Sequence, residues 1–133
     1  MRASVDIATA IYNKLVAGGY SASAHAIPAT LGTTLPHVHV ERTGGYTNDM
    51  VIETNQVDFD VYDKDPADAM ASASDLCAWV RDLAGETLET QCYAVEITTL
   101  PYQNPDPRNF DVARVTFKAQ ILLRVKERSL SNA

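Results

Sequence analysis

Val57-Asp58-Phe59-Asp60-Val61-Tyr62 and, three residues later, Asp65-Pro66 decide how this chain folds. Apolar residues at every second position put Val57, Phe59 and Val61 on one face, with Asp58, Asp60 and Tyr62 on the other. That alternation marks a half-buried strand. Asp65 then offers a capping carboxylate, and Pro66 enters the first helical turn, where its missing N–H costs nothing. Met70, Ala73, Leu76, Cys77, Val80 and Leu83 recur at helical spacing, so the hydrophobic period changes from two to 3.6 within a few residues. Gly85 closes the helix.

The same reading extends in both directions. Upstream, His37-Val38-His39-Val40-Glu41 alternates as a second strand, and Gly44-Gly45 with Thr47-Asn48-Asp49 forms a loop. Nearer the N-terminus, Ser4 is a helix cap, Asp6 suits the first turn, and Ile7, Ala8, Ile11 and Leu15 build an apolar stripe that ends at Gly18-Gly19. Downstream, Tyr93, Val95 and Ile97 alternate, as do Val115, Phe117, Ala119, Ile121, Leu123 and Val125 over a longer run. The proline-rich stretch between them, Leu100 to Arg108, is unsuited to a strand interior.

The expected fold is α+β. An antiparallel or mixed four-stranded sheet, in the order helix-strand-strand-helix-strand-strand, carries two helices packed on one face. Residues 1–133 form a single domain, with long loops at 19–36, 43–52 and 100–111 and a loose tail at 127–133.

Composition narrows the function. The chain has 133 residues, 46% hydrophobic and 21% charged, which suits one domain with an ordinary core. A net charge of −6 argues against general affinity for nucleic-acid backbones. No apolar run approaches the ~20 residues of a membrane span, and the N-terminus lacks the apolar segment of a signal peptide. Cys77 and Cys92 read as small buried hydrophobes in a reducing compartment, with a disulfide between them as the lesser alternative.

Few constellations suggest chemistry. His37 and His39 share a strand face, and with His25 they have the composition of a metal site. No carboxylate at ligand spacing accompanies them, so they read as solvent-facing or interface histidines. Asp58 and Asp60 also share a face, and Arg114, Lys118 and Arg124 on the long last strand are their natural cross-strand partners. Ser72 and Ser74 lie mid-helix without a nucleophile elbow, and no phosphate-binding glycine motif is present. The chain reads as non-catalytic, with no catalytic, cofactor-binding or metal-binding residues and no cofactor.

From Val5 to about Lys126 the chain resembles the tail terminator proteins of long, non-contractile-tailed bacteriophages. The resemblance rests on the opening amphipathic helix and on Leu35-Pro36-His37-Val38-His39-Val40-Glu41-Arg42 leading to Gly44-Gly45. It continues through the acidic strand Val57 to Tyr62 and the Ala-rich helix from Asp65 to Leu83. It ends with Pro105-Asp106-Pro107-Arg108-Asn109 and the strand opening Val112-Ala113-Arg114. It implies a hexameric ring that caps the tail tube, stops tube growth and presents the face on which the head docks. The implied partners are further copies of the chain, the major tube protein and a head–tail connector or neck protein, with DNA only as passing cargo and no membrane. The implied location is the host cytoplasm during assembly and then the top of the tail in the virion.

A ring needs two unlike contact surfaces, and the loops supply contact arms. Tyr46, Tyr102 and Phe110 are their expected anchors, joined by Arg108. A bore that lets DNA slide should be neutral or acidic, and Asp49, Glu53, Asp58, Asp60 and Asp63 cluster in or beside the first hairpin. The alternatives are a related neck or head–tail joining protein and, from another class, a small hydrolase holding a metal on His37, His39 and Asp58 or Asp60.

Overall fold

Helix α2 (Pro66–Arg81) starts at the Asp65-Pro66 signal: the Asp65 carboxylate accepts the backbone N–H of Asp68, and Ala69, Ala73, Leu76, Cys77 and Val80 are buried. The computed structural model describes residues 2–29, 31, 33–48, 51–108 and 111–127. Helix α1 (Ile7–Ala17) is capped by Asp6, whose carboxylate accepts from Thr9 N, and not by Ser4. The Ser4 hydroxyl instead accepts a hydrogen bond from Arg42 at 2.7 Å.

In chain order the strands are β1 (Arg2–Ala3), β2 (Ser21–Ala24), β3 (His37–Asn48), β4 (Ile52–Asp63), β5 (Thr87–Leu88), β6 (Thr90–Gln103), β7 (Ala113–Arg124) and β8 (Lys126–Glu127). Among the described residues, the main sheet runs β2-β3-β4-β7-β6, with the two-residue β5 beyond β6. β2 is parallel to β3 and the other pairings are antiparallel. A separate two-stranded sheet joins β1 to β8.

The expected four-stranded sheet is therefore corrected to a five-stranded mixed sheet. The added strand, Ser21–Ala24, lies inside the segment 19–36 expected to be a loop. Its Ser-Ala-Ser-Ala sequence has no large apolar residue to mark it, and it is held by the backbone ladder to His37–Val40. The loops expected at 43–52 and 100–111 also shrink. β3 runs to Asn48 and β4 begins at Ile52, while β6 continues through Pro101 to Gln103. Proline is tolerated there because β6 is an edge strand from Tyr93 onward. Of the tail placed at 127–133, Glu127 is paired with Arg2, and 128–133 lie outside the described residues.

Both helices pack against the face carrying Val38, Val40, Phe59, Val61, Phe117, Ala119 and Ile121. α1 lies against β2 and β3, and α2 against β4, β6 and β7. Phe59 and Phe117 are cross-strand partners stacked at 4.8 Å between centroids, with both rings fully buried. The opposite face is polar in composition, and the connection after β6 bonds to it through Asp106 to Tyr62 and through Asn104 to Thr116. Ile27, Pro28, Ala29 and Leu31 meet Asp106 and Arg108 around a shallow cavity of about 250 Å³.

Candidate interaction surfaces and the polar face

The parallel register of β2 on β3 sets Ser21 beside His37 and Ser23 beside His39. Ser21 Oγ lies 2.8 Å from His37 Nδ1, and Ser23 Oγ lies 2.9 Å from His37 Nε2 and 2.8 Å from His39 Nδ1. One hydroxyl thus bridges two imidazoles. His37 and His39 are only 4% and 3% exposed, so of the expected solvent-facing or interface placement the solvent-facing one does not hold. Burial, and for His37 the adjacent His39, keeps both rings below the usual histidine range; Asp60 and Glu41 pull His39 partly back. Replacing both with alanine is accordingly not harmless, because Ser23 would be left buried without an imidazole partner, at about 1–3 kcal/mol, and the half-buried Ser21 would lose its own.

A second network pins the connection after β6 to the same face. Asp106 is buried and takes the Tyr62 hydroxyl at 3.3 Å, the Arg108 backbone N–H at 2.9 Å and Arg108 Nε at 3.2 Å. Arg114 lies 3.7 Å from the Asp106 carboxylate and donates to the carbonyl of Asn104. Burial alone would raise the Asp106 pKa, but the Arg108 hydrogen bonds and the charges of Arg108 and Arg114 outweigh it and hold the carboxyl below its ordinary value. Tyr62, desolvated in the same place, is pushed up. Asn104 donates to Thr116 at 3.0 Å, and Thr116 donates to Asp60 at 2.7 Å.

These partners account for the residues that had suggested a metal or hydrolytic site. His37 has serine hydroxyls on both ring nitrogens, Asp60 holds Thr116, and Asp58 faces Lys118 at 3.7 Å. His25 is apart from them, against Asp6 and Thr9. No group of three or more metal-ligating side chains is assembled among the described residues. Cys77 and Cys92 are both buried and unpaired, and burial drives the Cys92 thiol up to about 11. The proposed acidic bore also changes. Glu53 is 4% exposed on the helix-covered face, accepting the N–H of Val5, and Asp63 is buried against Ser72. Asp49 lies outside the described residues.

The expected contact residues separate. Tyr46 is 61% exposed on the outer half of β3, and Tyr102 is 38% exposed on β6. Arg108 projects into solvent while bonded to Asp106, and Phe110 lies outside the described residues. Leu100, at 66%, is the most exposed large apolar side chain among the described residues, yet its proline-rich surroundings read as loop punctuation. Only His37–Val40 of β3 is covered by β2, so Glu41–Asn48 forms an arm with one edge unpaired among the described residues. Gly45 is required in that arm. Its φ is +140°, and a Cβ would stand 2.1 Å from the carbonyl oxygen of Thr54.

No helix among the described residues is long and apolar enough to cross a membrane. Neither a scan of protein-family models nor a search of curated proteins returns a match.

Proposed function

We propose that the protein is a ring-forming structural component of a phage tail, acting as the terminator that caps the tail tube and receives the head. The observation that carries this reading is where the molecule leaves its polar and apolar groups. On the polar face His37, His39, Asp60, Tyr62 and Asp106 are engaged with one another and with serine, threonine and arginine partners, and the Asp106 bonds hold the connection after β6 in place. Apolar side chains meanwhile stand in solvent on the open edges of the sheet, as an assembly protein requires. The sequence resemblance supplies the specific role.

Mass measurement in solution combined with negative-stain imaging tests the reading, with and without tube protein. A closed annulus that blocks further tube addition is the expected result. A strict monomer that leaves tube growth unaffected overturns it.

A further inference from the structure

Five large apolar side chains are exposed among the described residues, and four of them lie on two strand edges: Tyr46 on the arm of β3, and Tyr93, Leu100 and Tyr102 on β6. The two edges are unlike, and they lie on opposite sides of the sheet, separated by β4 and β7. Natural proteins usually blunt an open edge with charge. Thr43–Asn48 and Thr98–Gln103 carry none, in a chain that is 21% charged.

We infer that the β3 arm of one copy packs across the β6 edge of a second copy, with Tyr46 seated against Leu100 and Tyr102. This deepens the ring reading and rests on it. The occupant is a second copy because the chain presents both halves of the contact, and the facing segments, Thr43–Asn48 and Thr98–Gln103, are uncharged and tipped with exposed apolar groups. The contact is head-to-tail, because the arm and β6 are different surfaces. Such a contact adds copies in one direction and closes when the rotation per copy divides a full turn. β6 is also built against pairing with itself. Pro101 has no N–H to donate, and the register on β7 shifts between Ile97 and Thr99 and again between Thr99 and Tyr102. The arm has the opposite character: Gly45, where a Cβ would meet the Thr54 carbonyl, precedes Tyr46 in a run from Gly44 to Asn48 that is paired residue by residue to β4.

The register excludes the same contact within one copy. Tyr46 aligns through Thr54 and Leu122 with Ala94, whereas Leu100 lies beyond Thr99, which aligns with Lys118. Three strand spacings and about five residues along the strand put the two side chains roughly 20 Å apart.

The test uses full-length Tyr46→Cys and Leu100→Cys variants and a short bis-maleimide, since Cys77 and Cys92 are buried and give a silent parent chain. Mixing the two variants should give a covalent dimer, and the double variant a ladder of oligomers. Each variant alone should stay uncross-linked. Self-cross-linking of either single variant overturns the head-to-tail contact. Light scattering on the same samples separates the two claims. A closed ring without the Tyr46–Leu100 cross-link overturns this interface and leaves the ring standing. A cross-linked open ladder that never closes keeps the interface and removes the terminator role. Monomers with no cross-link at any concentration overturn the inference outright.

Discussion

Acidification should loosen this molecule at the seam between β2 and β3, and the serine–histidine geometry sets how far. With both imidazoles neutral, Ser23 donates its single hydroxyl hydrogen to one ring and accepts an N–H from the other. A first proton on either ring leaves the serine bonds intact. A second presents Ser23 with two N–H donors and puts two cations on adjacent same-face positions of one strand. Both rings titrate below their ordinary 6.5 through burial, so the folded state binds fewer protons than the unfolded chain. Their contribution is therefore complete above pH 6.5 and is lost as the pH falls through that value towards the lower folded ones. The slope is at most about 1.4 kcal/mol per pH unit for one histidine and about 2.7 for the pair. Against a typical domain stability of about 5–15 kcal/mol, that loss is large. Urea unfolding followed by Trp79 fluorescence is the assay. Trp79 is the only tryptophan and packs 5.8 Å from Tyr20, the residue that leads into β2. Stability should fall between about pH 7 and pH 5, with His37→Gln and His39→Gln together flattening the profile. A flat parent profile, or the same slope in the double variant, refutes the seam as the cause.

Three further outcomes follow from the packing. Gly45→Ala forces a Cβ onto the Thr54 carbonyl and should cost about 2 kcal/mol or more in denaturant titration, with loss of assembly. Phe117→Ala empties one half of the buried stack with Phe59 and should cost about 3–5 kcal/mol by the same titration, while Phe117→Leu costs less. Cys77 and Cys92 should be inert to a thiol reagent at neutral pH until the chain unfolds, and both should then react; labelling of the folded protein would contradict their burial.

What the sequence revealed, and what it hid, divides at β2. Strands whose alternation carries large apolar residues, such as Val57 to Val61 and Val115 to Leu123, declare themselves because one face must enter the core. Ser21–Ala24 does not, since serine and alanine alternate without a hydrophobic contrast, and its pairing is made by backbone and imidazole bonds to residues 16 positions away. That one hidden strand accounts for most of what differs. A parallel neighbour requires the chain to cross back from the end of β2 to the start of β3. The segment that does so meets Asp106 and Arg108 on the polar face. Strand parity places His37 and His39 on the polar face, whereas their burial beside Ser21 and Ser23 goes with the strand that no alternation marks. The same strand is too short to cover β3 beyond Val40, so the rest of β3 becomes an open arm instead of the tip of a loop. Burial of the histidine seam and exposure of Tyr46 are thus two consequences of a four-residue strand laid along a twelve-residue one.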